Sequence, residues 1–89
     1  MQKVARSHVS PHFEKQFEGL PKKLQRLVAK KLLLFENNPY HPGMNTHKLK
    51  GPLSGFWAFY VNYRYRILFR FLENNTVIYY DIDTHDIYK

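Results

Sequence analysis

Eighty-nine residues leave room for one domain, and its core has to be compact. Hydrophobic residues at 44% and aromatics at 17% are too many for a disordered chain, and the lack of cysteine rules out disulfide frameworks, cysteine-ligated zinc and thiol nucleophiles. Fourteen Lys and Arg against seven Asp and Glu leave a formal charge of +7, which favours a polyanionic partner: nucleic acid, the ribosome, an acidic membrane or an acidic protein.

Residues 1–10 carry Lys3 and Arg6 but no apolar run, unlike a secretory signal, and no later segment is long and apolar enough to span a bilayer. The expectation is a single cytoplasmic domain over residues 1–89, with no membrane association. Residues 3–8 alternate apolar and polar and predict a short opening strand. Ser10-Pro11 reads as an N-cap followed by proline at the first helical position. Phe13, Phe17 and Leu20 recur at helical spacing, and Gly19 marks the end of that helix. Pro21 starts a second helix in the same way, with Leu24, Leu27, Val28, Leu34 and Phe35 as its apolar positions and Asn37-Asn38-Pro39 as its stop. Residues 37–55 lack periodicity and hold three of the four glycines and three of the five prolines, around Tyr40, His41, Met44, His47, Lys48 and Lys50. Ordered loops of this length often carry function.

Three strands follow, over residues 56–62, Tyr65–Leu72 and 76–83, with Glu73-Asn74-Asn75 as a hairpin turn. In the middle strand Tyr65, Ile67, Phe69 and Phe71 share one face, and Arg64, Arg66, Leu68 and Arg70 share the other. The apolar set belongs under the helices, which leaves the arginines on the open side. The predicted fold class is α+β: a two-layer β-α-α-β-β-β arrangement, mainly antiparallel, with a helical hairpin packed on one face.

Four local strings, in this order, resemble the RelE/ParE superfamily of toxins from type II toxin–antitoxin pairs. They are His47-Lys48-Leu49-Lys50-Gly51, Leu53-Ser54-Gly55-Phe56-Trp57, Tyr65-Arg66-Ile67-Leu68-Phe69 and Thr84-His85-Asp86-Ile87-Tyr88-Lys89. The resemblance covers nearly the whole chain. RelE-like and YoeB-like members enter the ribosomal A site and cut mRNA without a metal, whereas ParE-like members inhibit DNA gyrase and are not nucleases. Because the fold is shared, function rests on the site.

Metal-free RNA cleavage uses the RNA's own 2′-hydroxyl as nucleophile, and needs a base, a cation for the phosphorane and an acid for the leaving 5′-oxygen. Arg66 aligns with the central-strand arginine of the nuclease members, and a planar guanidinium suits a phosphorane. A salt bridge from Arg66 to Asp81 or Asp83 is the structural alternative. The resemblance also places His85 near the scissile phosphate, where an imidazole of ordinary pKa about 6.5 can act as the acid. His47 falls where YoeB-like members carry a glutamate base. Tyr88 corresponds to a terminal tyrosine that orients the nucleotide.

Lys48, Lys50, Arg64 and Arg70 read as phosphate contacts or as a generally solvated basic surface. Two lysines that RelE carries on the first strand of the hairpin are Ala58 and Tyr60 here, so a lysine base is not available and the arrangement would be histidine-based. Asp81, Asp83 and His85 make a poor metal set from one strand, and an arginine-paired acidic ladder fits them better. No metal or small-molecule cofactor is expected. The resemblance implies two partners, mRNA in the ribosomal A site and a cognate acidic antitoxin. The competing functions are a ParE-like gyrase inhibitor and a non-catalytic RNA-binding module.

Overall fold

The computed structural model describes residues 3–84, so His85 and Tyr88 lie outside the described residues. Strand β1 (Arg6–Val9) leads into helices α1 (Pro11–Glu18) and α2 (Lys22–Asn37). Strands β2 (His47–Lys48), β3 (Trp57–Tyr60), β4 (Tyr65–Leu72) and β5 (Thr76–Thr84) follow. They form one sheet in the order β1-β5-β4-β3-β2, with β1 parallel to β5 and every other pairing antiparallel. The α+β expectation stands, with one strand added. The short β2 pairs with β3 inside the stretch that shows no periodicity, and two residues are too few to reveal an alternation.

The signals of the first helix act as the sequence predicts, whereas Pro21 stands at the N-cap of α2, one residue before its first helical position, with no side-chain cap. Ser10 Oγ accepts a hydrogen bond from the Phe13 N–H at 3.0 Å and donates to the Tyr80 carbonyl at 3.0 Å, so one side chain caps α1 and ties it to β5. Gly19 closes that helix. Because β1 ends at Val9, the edge of β5 beyond Tyr79 would lie open. Gln16 fills it: its Oε1 accepts from the Ile82 N–H at 2.7 Å and its Nε2 donates to the Ile82 carbonyl at 3.1 Å. The side-chain amide thus satisfies two backbone groups that a neighbouring strand would otherwise pair.

Between the helices and the sheet lies an aromatic core. Phe35 of α2 is fully buried, stacks on Phe59 at 4.3 Å and meets Phe69 edge-on at 4.7 Å. Phe13, Val28, Ile67, Val77, Tyr79 and Ile82 complete the centre of this layer. At the β4–β5 hairpin, Asn74 (φ 60°) and Asn75 (φ 55°) adopt the left-handed conformation that a tight turn between twisted strands requires.

The β4–β5 ladder contains a bulge. Phe69 pairs with Tyr79, yet Leu68 pairs with Asp81, so Tyr80 is an extra residue on β5. The bulge reverses the strand's alternation: Val77 and Tyr79 face the core before it, and Ile82 faces the core after it. Asp81 and Asp83 are thereby turned to the opposite face, away from the helices.

Tyr79 is the one core aromatic with a polar errand. Its phenol donates to Glu36 Oε2 of α2 at 2.5 Å. Burial, the hydrogen bond to Glu36 and the charge of that carboxylate all push the Tyr79 pKa far above its ordinary value. The folded protein therefore holds a proton that the unfolded chain releases near pH 10. The resulting stabilisation is complete below that pH and declines as the pH rises above it. Tyr79→Phe is expected to cost about 1.5–3 kcal/mol at neutral pH in urea denaturation, as for a hydrogen bond to a charged group. The wild-type melting temperature should also fall more steeply than the variant's above about pH 10.

Candidate functional site

On the face turned away from the helices, cross-strand register assembles two rows. Tyr60 of β3, Arg66 of β4 and Asp83 of β5 form the first, and Ala58, Leu68 and Asp81 form the second. Beside them Phe56 makes ring contacts with Tyr80 and with Arg70, whose register partner on β5 is Ile78.

Arg66 is held by Asp83. Its Nε donates to Asp83 Oδ2 at 3.0 Å, and one Nη lies 2.9 Å from the same oxygen. The two side chains are only 11% and 13% exposed, so the ion pair is largely desolvated rather than a loose surface contact. Of the two aspartates weighed from sequence, Asp83 is the partner of Arg66. Asp81 Oδ1 instead lies 3.1 Å from His12 Nε2 of α1.

His47 reaches the same face from β2. It pairs with Ala58 in register, and its ring lies diagonally against Tyr60 at 5.9 Å. Its Nδ1 is 2.7 Å from the Asn45 carbonyl, which can only accept, so Nδ1 carries the proton in the neutral ring and Nε2 carries the lone pair. The loop that presents it is anchored by Met44, fully buried, and by Thr46, whose hydroxyl donates to the Pro39 carbonyl. Asn45 at φ 50° turns its carbonyl toward the imidazole. His41, the other histidine of this loop, accepts from the Gly43 N–H at 3.1 Å and caps the short helical turn Pro42–Met44.

The remaining sequence candidates separate. Arg70 is exposed and stands over the Phe56 ring at 5.7 Å. Arg64 is exposed in the turn before β4, where its backbone N–H is held by Asn62. Lys50 is exposed just before Gly51, whose φ of 67° explains the glycine in that string. Lys48 pairs with Trp57 in the row that continues to core residue Phe69, and its ammonium lies over the Trp57 ring at 5.7 Å. It therefore belongs to the helix side of the sheet and does not join His47 and Arg66. Among the described residues no three His, Asp or Glu side chains converge as a metal ion would require.

Sequence reasoning gave Phe56 only as part of a family string, overlooked Tyr80 and His12, and noted Tyr60 only as a replaced lysine. Tyr80 alternates outward from Tyr79, and β5 changes parity at the bulge just after it. The signal of that bulge is present in β5, because no single alternation can bury both Tyr79 and Ile82.

No family model matches this sequence, and no curated protein matches it. Solved structures do. One chain of the RelBE2 toxin–antitoxin complex from Mycobacterium tuberculosis superimposes with a TM-score of 0.79 at 18% identity, covering 96% of this chain and 94% of that one. A YoeB/ParE toxin from Agrobacterium tumefaciens gives 0.75 at 12% identity over 90% and 98% of the two chains. The archaeal RelE–RelB complex from Pyrococcus horikoshii gives 0.73 at 16% identity over 91% and 94%. The chain has the fold of the RelE/ParE superfamily toxins.

The desolvated pair gives a stability test. Asp83→Ala leaves a guanidinium in a site built for an ion pair, and should cost about 3 kcal/mol in urea denaturation. The double variant Arg66→Met, Asp83→Leu should recover most of that loss, since two apolar side chains need no partner there.

Proposed function

We propose that this chain is the toxin of a toxin–antitoxin pair and that it cuts mRNA in the ribosomal A site, in the cytoplasm. The observation that carries the reading is the placement of His47 and Arg66 on one sheet face, on either side of Tyr60. An imidazole with its lone pair on Nε2 and a guanidinium oriented by Asp83 are two of the three groups that metal-free cleavage needs.

In this mechanism His47 Nε2 takes the proton of the RNA 2′-hydroxyl as the O2′–phosphorus bond forms. Five N–H donors in a fixed fork allow one guanidinium to hold Asp83 and to bind phosphate oxygens, and Arg66 stabilises the charge that accumulates on the phosphorane. The phosphorus–O5′ bond then breaks, and the leaving oxygen is protonated. The resemblance assigns that acid to His85 and substrate orientation to Tyr88. The products are a 2′,3′-cyclic phosphate and a 5′-hydroxyl. Arg64, Arg70 and Lys50 supply positive charge that positions the RNA backbone without reading its sequence.

The partner that holds such a toxin in check is an acidic antitoxin laid over the basic face. Two of the three structures described above are toxin–antitoxin complexes.

Purified protein added to programmed ribosomes should cut within the A-site codon. Arg66→Ala should slow that cleavage by about 10²–10³-fold, as for loss of one preorganised charge-stabilising donor. His47→Ala should slow it by about 10²–10⁴-fold, the usual contribution of a positioned base. Intact mRNA together with inhibited DNA supercoiling would replace this reading with the gyrase-inhibitor one.

A further inference from the structure

The open face carries a feature that cleavage chemistry does not use. Phe56 and Tyr80 meet edge-to-face at 5.1 Å across β4, and the Arg70 guanidinium stands 5.7 Å from the Phe56 ring. Both rings are only half-buried, and Arg70 is exposed. Tyr80 is the extra residue of the β5 bulge: ordinary alternation from buried Tyr79 puts its ring on the open face, and the parity change just beyond it turns Asp83 toward Arg66.

We propose that Phe56, Tyr80 and Arg70 form a stacking subsite for an unpaired nucleobase of single-stranded RNA, next to the phosphate held at Arg66. The inference rests on the RNA-cleaving reading of the same face and extends it from the phosphate to a base. Aromatic faces and a guanidinium plane are the surfaces on which bases stack, whatever their identity. Arg66 and Arg70 are four residues apart on β4, about 13 Å along the strand. That separation suits a base about two nucleotides from the phosphate at Arg66. Arg70 and Arg64 add exposed positive charge near the subsite, beside the Arg66–Asp83 pair. Covering Leu68, which is 5% exposed on this face, accounts for the presence of apolar groups. It does not call for two aromatic rings with an arginine laid over one of them.

The test compares two fluorescein-labelled probes with equal numbers of phosphates: a 2′-deoxy hexanucleotide, which lacks the attacking hydroxyl, and its abasic tetrahydrofuran counterpart. Phe56→Leu and Tyr80→Leu should each weaken binding of the base-bearing probe by roughly 5- to 100-fold, the range measured for loss of one base–aromatic stack. Arg70→Lys, which keeps the charge and loses the plane, should weaken it by a smaller factor. Binding of the abasic probe should be unchanged in the Phe56 and Tyr80 variants. In the wild-type protein, the ring protons of Phe56 and Tyr80 should shift in NMR titrations with the base-bearing probe and not with the abasic one, a readout independent of how the variants fold. Equal losses for both probes, no loss for either, or unmoved ring signals would show that the cluster only covers Leu68. Ribosome cleavage is scored separately. Cleavage that depends on Arg66 without any base discrimination removes the subsite and leaves the nuclease reading intact. Base discrimination without cleavage does the reverse.

Discussion

A single inserted residue, Tyr80, sets the polarity of the sheet. Were β5 to alternate regularly through Tyr80, Asp81 and Asp83 would follow Val77 and Tyr79 into the aromatic core while Ile82 faced outward. Two unpaired carboxylates in that environment would be prohibitively costly. The bulge resolves the conflict by changing the strand's parity between Tyr79 and Asp81. Residues before it complete the core against α1 and α2, and residues after it deliver Ile82 to the core and Asp83 to Arg66.

The neighbouring features follow from that geometry. The bulged, unpaired edge of β5 is closed by Ser10 and Gln16 of α1, which bind the backbone of Tyr80 and Ile82. The helix is thus attached to the strand at the level where the open face acquires its charged row. Arg66 and Asp83 are desolvated together, which fixes the guanidinium in one place on this face. His47 is fixed by different means: buried Met44 holds its loop, and the Asn45 carbonyl selects its tautomer. Two side chains from distant parts of the sequence are oriented before any substrate arrives, which is the condition under which electrostatic and acid–base groups act most strongly.

Much of this architecture could be read from the residues. Ser10, Pro11 and Gly19 delimit α1 because capping is local chemistry, and the alternation of β4 separates Arg66 and Arg70 from Ile67 and Phe69 because a regular strand has period two. The salt bridge from Arg66 was foreseeable as a choice between two aspartates, and only the register across the bulge selects Asp83. The position of Lys48 on the helix side was not readable, since β2 is two residues long and offers no alternation to count. The contact between Phe56 and Tyr80 was not readable for a related reason: it spans β4, between residues far apart in the chain. Such non-local pairings leave at most a trace in sequence, here the parity break between Tyr79 and Ile82.

If His47 and Arg66 act on the RNA's own 2′-hydroxyl, the chemistry leaves a signature on the substrate. The most direct measurement gives programmed ribosomes an mRNA bearing a single 2′-deoxy sugar at the cleaved position and identifies the ends formed on the unmodified message. Cleavage should stop at the deoxy position, and the unmodified message should end in a 2′,3′-cyclic phosphate with a 5′-hydroxyl on the other fragment. Continued cutting of the deoxy substrate, or ends carrying a 3′-hydroxyl and a 5′-phosphate, would contradict the assignment of this face to 2′-hydroxyl attack.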